Sequence, residues 1–398
     1  MSSTLTTTID GRTVTWKDRK RYLWLFGLVV PLLPFGAGNW VDYSGWAQIL
    51  WFSGPIWILV MIPLLDRVFG TDRSNAPDWA VEQLAADRYY RWCTFLFLPI
   101  QYLGLVYACW IVSTNDLLWW QQLGYALTVG TVAGIAINTA HELGHKKEHS
   151  ERLLAKLALA QSGYGHFYVE HNRGHHNRVA TPEDPASSRL GESFWAFLPR
   201  SVIGSARSAW GIESKRLTAQ GKRVWSLDND VLTAWALTVL LLGGLAAVFG
   251  PAVLPFLVVQ AVFGFSLLEV VNYLEHYGLA RQRNEQGRYE RCSPQHSWNS
   301  NHVASNVILY NLERHSDHHA HPTRRYQALR HFEESPQLPS GYGLMLGLAY
   351  LPPVWRAVMD RRVLAHYDGD VTLANIHPPK RAKVLARYAT ASTTPTDG

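Results

Sequence analysis

Of the 17 histidines in this sequence, 14 fall between residues 141 and 321. They gather in the strings HELGHKKEH (141–149), HNRGHH (171–176) and HSDHHAH (315–321), with His276 standing in NYLEHYG. His141 and His145 are four residues apart, a spacing that puts both imidazoles on one helical face, able to hold one ion. His171 and His175 repeat that spacing, and His176 is expected to turn away toward a second centre. His315, His318 and His319 combine spacings of three and four. These nine, His141, His145, His171, His175, His176, His276, His315, His318 and His319, are the candidate ligands. One ion cannot use nine imidazoles, but two can, with four or five each and positions left open for a small molecule.

His149, His166, His302 and His321 repeat the spacing less well and read as residues that support the ligands from behind or as structural residues, rather than as ligands. Glu142, Glu170 and Asp317 each adjoin a candidate ligand. Carboxylates in that position are expected to accept the outer N–H of a metal-bound imidazole and so fix its tautomer. Three cysteines, Cys93, Cys109 and Cys292, have no paired spacing. They predict neither disulfides nor a thiolate site.

The elements that must position these residues are apolar. Only 17% of the chain is charged, whereas Trp, Tyr and Phe number 17, 18 and 14. That balance is foreign to ordinary soluble enzymes. Six stretches approach the ~20 residues that a helix needs to cross a bilayer. They lie near Tyr22–Gly38, Trp46–Leu65, Trp92–Val112, Leu118–Thr139, Leu232–Gly250 and Ala252–Tyr273. No Lys or Arg occurs in 22–66, 92–145 or 224–280, so all 37 basic residues flank the spans on one side. The positive-inside rule makes that side cytoplasmic, with both termini there. The expected architecture is all-α: six transmembrane helices and a cytoplasmic helical cap (141–230 and 276–390) in a single domain, 1–390. A linker-like Ser/Thr/Pro-rich tail, 391–398, follows. Glu269 breaks the sixth span and is expected either to be paired or functional, or to be hydrated near the interface.

Imidazole suits zinc, copper, iron and nickel about equally. Candidate ligands at the foot of an apolar bundle imply an apolar substrate, and hydrolysis has little purchase on a hydrocarbon, whereas iron with dioxygen does. Iron is the expected metal. The net charge of +6 follows the positive-inside bias, and no nucleic-acid-binding module is recognisable.

The strings NTAHELGHKKE (138–148), GYGHFYVEHNRGHH (163–176), NYLEHYGL (272–279) and LERHSDHHAHPTR (312–324) resemble the integral-membrane alkane 1-monooxygenases, as do ATPEDPASSRLGES and HSWNSNH. The similarity runs from the first span to about residue 390. The resemblance implies a non-haem diiron centre on the nine histidines and terminal hydroxylation of medium- or long-chain n-alkanes with O2 as co-substrate. It also implies electrons from rubredoxin, reduced by a flavoprotein NAD(P)H-rubredoxin reductase, and residence in a bacterial inner membrane. Xylene or toluene methyl monooxygenases and fatty-acyl hydroxylases or desaturases of the same histidine-box superfamily are the alternatives. A membrane metal transporter is a reading of another class, and it would require ionisable residues along the spans. Trp57 and Ile58, midway along the second span, are expected to border the substrate channel. Lys146, Lys147, Arg173, Arg178, Arg281, Arg283, Arg324 and Arg325 flank the histidines as a docking face for an acidic carrier, or as contacts to lipid headgroups.

Overall fold

In lipid every backbone N–H and C=O must be satisfied within the protein, and long apolar runs meet that demand by forming helix. The computed structural model describes residues 3–39 and 44–389, and the tail expected at 391–398 lies outside them. The chain is mostly helical, as the sequence implied. Five helices are long and apolar enough to cross a membrane: α2 (Gly45–Phe69), α3 (Arg88–Thr114), α4 (Trp119–Gly144), α5 (Asp230–Phe249) and α6 (Pro251–His276). A shorter apolar helix, α1 (Leu23–Gly38), precedes them. Its first ten residues wind as 3-10 helix and its last six as α-helix. A 3-10 helix rises ~2.0 Å per residue, so α1 reaches about 29 Å, close to the ~30 Å of a hydrocarbon core.

Helices α4 and α6 run past the ends that hydropathy alone suggests, and their final turns carry His141 and His276. The spans thereby hold these two histidines directly. α4 is the central element, with 89% of its apolar window buried against 17% for the peripheral α5. Lipid offers no hydrophobic drive between helices, so close packing must hold α4 against α6. Small residues permit it. A Cβ on Gly130 would stand 2.7 Å from the Gln260 carbonyl, and one on Gly134 would stand 3.0 Å from that of Gly264.

Outside the spans, the short helices α7 (Val303–Ile308) and α8 (His315–Ala320) belong to the cap. One buried cluster joins spans and cap, from Ile135 and Val270 through Tyr273 to Trp355 and Met359. The structure adds one element to the all-helical expectation. Strands β1 (Thr4–Ile9) and β2 (Arg12–Lys17) form an antiparallel hairpin, with Ile9 opposite Arg12. Its two-residue turn places Asp10 at φ 50 and Gly11 at φ 73. Asp-Gly between β-branched runs is the sequence signal for such a turn.

Candidate metal centre

The nine candidate histidines converge as two groups. His141, His145, His171, His176 and His318 form one, and His175, His276, His315 and His319 the other. Within each group, one ring nitrogen per residue lies within 4.8 Å of the others. His171 Nε2 stands 3.1 Å from the Nε2 atoms of both His145 and His176, and His176 Nε2 stands 3.0 Å from that of His318. In the other group, His319 Nε2 lies 2.9 Å from His315 Nε2.

A shared proton can join one pair of imidazoles, yet His171 and His176 each face two. A cation satisfies all of them. At a metal–nitrogen length of about 2.1 Å, donors at right angles stand about 3.0 Å apart, whereas tetrahedral donors stand about 3.4 Å apart. The Nε2 atoms of His141, His175 and His276 are buried without a hydrogen-bond partner, which also fits a metal. Burial, reinforced by neighbouring imidazoles, holds His145, His171, His176, His315, His318 and His319 well below the ordinary 6.5. They stay neutral, each with a lone pair to give. The residues therefore fit two ions.

The division differs from the one the four-residue spacing implied. Glu170–His175 is wound as π-helix, not α-helix. The wider turn brings residues five apart onto one side, so His171 shares a group with His176 and His175 turns to the other. α8 is regular, and there the expected geometry applies. His315 and His319, four apart, face one group, while His318 faces the other.

The neighbouring carboxylates also need correction. Glu142 pairs with Lys146 at 3.0 Å, Glu170 with Arg178 at 2.7 Å, and Asp317 with Arg324 and with His321 at 2.8 Å. Burial pushes Glu170 up to about 7. A residue next to a histidine on a helix points about 100° away from it and cannot reach that neighbour's outer nitrogen. The acceptors come from elsewhere. His175 donates its Nδ1–H to Asp184 at 2.8 Å, and Asp184 also accepts from the Ser187 hydroxyl at 2.6 Å. Burial opposes a charge on Asp184, but His175 and these hydrogen bonds outweigh it and hold the carboxyl at about 2. The His296 carbonyl lies 3.3 Å from His276 Nδ1. Glu275 instead meets the inner side of the four-histidine group: its Oε2 stands 3.1 Å from His315 Nε2, and its other oxygen accepts from the Tyr342 hydroxyl at 2.8 Å. The identity of Asp184 as an acceptor had no local signal, because it lies nine residues beyond its partner.

The remaining histidines lie outside both groups. His149 is exposed, His166 meets Tyr164 edge to face with ring centroids 4.4 Å apart, and His302 contacts the Ser300 hydroxyl at 2.8 Å. Glu269 is buried rather than hydrated, and accepts from the Tyr164 hydroxyl at 2.6 Å. The three cysteines are free.

A narrow cavity of about 40 Å³ runs between the spans, lined by Ile58, Ile62, Ile135, Leu267 and Leu346. Asn138, Leu268, Val271 and Leu312 border it and also border the small space that reaches His141, His171 and His315. Ile58 thus faces the passage to the histidines, from a π-helical stretch of α2 spanning Trp57–Met61. Trp57 does not; it lines a separate groove.

Much of the expected basic docking face is committed internally. Besides Lys146, Arg178 and Arg324, Arg173 binds Glu213 and Asp230, and Arg325 binds Glu151. Arg283 has an exposed ion pair with Glu183 at 3.4 Å and donates to the Tyr289 hydroxyl at 3.0 Å. Lys147 and Arg281 have no ion pair among the described residues.

Residues 118–348, which contain every candidate ligand, match the fatty acid desaturase family model. Over 93% of its length the chain is 47% identical to an alkane 1-monooxygenase of Acinetobacter baylyi, covering 91% of that protein. It is 49% identical over 94% to alkane 1-monooxygenase 1 of Alcanivorax borkumensis, covering 92% of it. Similarity to the hydroxylase component of a xylene/toluene monooxygenase from Pseudomonas putida is weaker, at 27% over 62% of the chain and 66% of that protein. With two histidine groups at the foot of an apolar helical bundle and relatives matching along nearly its whole length, the chain belongs to the alkane 1-monooxygenases of the fatty acid desaturase family.

Proposed function

We propose that this protein hydroxylates the terminal methyl group of n-alkanes within a bacterial cytoplasmic membrane, consuming O2, two electrons and two protons and releasing a 1-alkanol and water. The passage from Ile58 to His141, His171 and His315 carries the reading, because it joins an apolar interior to the histidine pair. Among the described residues, the cavity beside Ile58 offers only Asn138 and Ser305 as polar side chains, so that part recognises its occupant by shape. The identity of 47–49% to alkane 1-monooxygenases, against 27% to the xylene/toluene hydroxylase component, sets this reading ahead of methyl-arene oxidation. Two iron ions on the two histidine groups would supply the oxygen activation needed to break an unactivated C–H bond.

The chain's own residues do the rest. Leu268, Val271 and Leu312 hold the end of the alkane before the ligands and keep water out. Asp184 and the His296 carbonyl fix the rings of His175 and His276. No thiolate cluster accompanies the three free cysteines, so electrons arrive from a separate carrier or a fused domain. Rubredoxin, reduced by its flavoprotein, fits that role. It would approach the basic side of the membrane, which the charge distribution makes cytoplasmic.

Iron quantification combined with product analysis on a mixture of n-alkanes, toluene and fatty-acyl substrates tests the reading. Two irons per chain and 1-alkanol as the main product are expected. Preferential benzyl alcohol formation, or zinc in place of iron, would overturn it.

A further inference from the structure

Away from the histidines a second cleft opens where β2 meets α1. Its polar part, of about 540 Å³, is lined by Trp16, Lys17, Arg19, Lys20, Asp72 and Arg314. A small space of about 10 Å³ bordered by Lys20, Trp24, Arg314, Val303 and Val307 lies between it and a groove of about 280 Å³. Only apolar side chains line that groove, among them Leu23, Phe26, Leu65, Phe69 and Ile308. Phe26 and Phe69 are 58% and 61% exposed, so the groove opens outward between α1 and α2, on the face where the bilayer would lie.

The polar part has an excess of cations. Its two carboxylates are already engaged: Asp18 accepts from the Tyr90 hydroxyl at 2.5 Å, and Asp72 pairs with Lys20 at 2.7 Å. Lys17 and Arg19 are exposed and have no ion pair among the described residues. Arg314 is only 4% exposed. Its guanidinium donates to the carbonyls of Leu329 (2.8 Å), Asp72 (2.9 Å) and Ser74 (3.1 Å) and to the Asn75 amide oxygen (3.4 Å). Every one of those acceptors is neutral, and the buried Arg314 Nε has no partner. Asp72 and Asp317 offset part of the Arg314 charge, and with all four terminal N–H groups engaged only Nε–H is left to meet an anion, so the pull on a phosphate comes chiefly from the unpaired Lys17 and Arg19.

We propose that this cleft binds one anionic phospholipid. The headgroup phosphate lies among Arg314, Lys17 and Arg19, and an acyl chain fills the groove floored by α7. The cationic mouth and the apolar groove are neighbours across residues that both border, an arrangement that suits a molecule with a charged head and a hydrocarbon tail. A free anion would leave the groove empty, and a neutral lipid would leave Lys17 and Arg19 without a counter-ion.

The test uses the full-length protein, reconstituted in bilayers of equal phosphatidylglycerol and phosphatidylcholine, then released for native mass spectrometry. Retention of one phosphatidylglycerol per chain is expected. The double variant K17E/R19E, at exposed positions, should lower that retention at least about tenfold. V303W, which fills the groove, should lose lipid of either headgroup while circular dichroism shows native helicity. If V303W does not fold, K17E/R19E decides alone. Equal retention of both lipids, unchanged retention in K17E/R19E, or equal thermal protection by inorganic phosphate would each overturn the proposal.

Discussion

Asp184 shows how much of a metal centre lies beyond its ligands. It fixes the His175 ring through Nδ1, so Asp184→Asn should weaken iron binding by about 10- to 100-fold, read as iron content against chelator concentration. Unchanged retention would reduce Asp184 to a packing residue. The two groups should also separate in mutants. His176→Ala removes a donor from the five-histidine group and His276→Ala from the four-histidine group, so each should drop iron from two per chain to about one. If either variant keeps both irons and full turnover, that histidine leaves the ligand set. Acid should act in the same direction. Burial lowers His145, His171 and His318 in the folded state, whereas the unfolded chain protonates its histidines near 6.5. The unfolded state therefore binds more protons below that pH, so stability is fully present above it and is lost as pH falls. The iron-stripped protein should melt at lower temperature as pH drops from about 7 to about 5.

Among the elements, α2 and the α4–α6 pair govern access and alignment. Ile58→Trp should lower the longest alkane accepted and Ile58→Ala should raise it, because Ile58 borders the passage to the histidines. Trp57→Ala should leave the substrate profile alone, since Trp57 lines the outer groove. Competition assays across a range of n-alkanes read both, and a shift in the Trp57 variant alone would reverse the assignment. Gly130→Val drives a side chain against the Gln260 backbone, so α4 and α6 must move apart and His141 and His276 lose their alignment. Turnover and iron should fall together. Gly243→Ala on α5, where an added Cβ meets nothing within 4 Å, is the neutral control.

For the whole molecule, internal pairing narrows the surface open to a carrier. Reversing Arg173 or Arg325 breaks contacts to Glu213 or Glu151 and should lower stability. Reversing Arg281 together with Lys147 should leave folding intact and raise the rubredoxin concentration needed for half-maximal turnover. That effect should fade with salt, because the Debye length shrinks from about 10 Å at 0.1 M to about 3 Å at 1 M. An unchanged carrier dependence at every ionic strength would leave lipid contact as the role of those residues. The orientation has its own check: cysteine labelling from the cytoplasm should reach a probe at Arg73 and not one at Asn115.

The sequence by itself determined which segments are apolar, where basic residues exclude them, and which histidines gather near their ends. These are local properties of composition and spacing. It also carried the hairpin signal at Asp10–Gly11, which lies outside the apolar spans on which the all-helical expectation rested. Only the tertiary structure decided how nine histidines divide between two centres. One extra residue in the Glu170–His175 turn rotates His175 away from His171, and no spacing rule for regular helix anticipates that. It alone decided that the distant Asp184 holds His175 and that Glu170, next to His171, pairs with Arg178 instead, because side chains next to each other on a helix diverge while distant segments converge. The same holds for Trp57 and Ile58. Neighbours in sequence, they face different cavities, and only the packing of α2 against its partners sets which one meets the passage to the histidines.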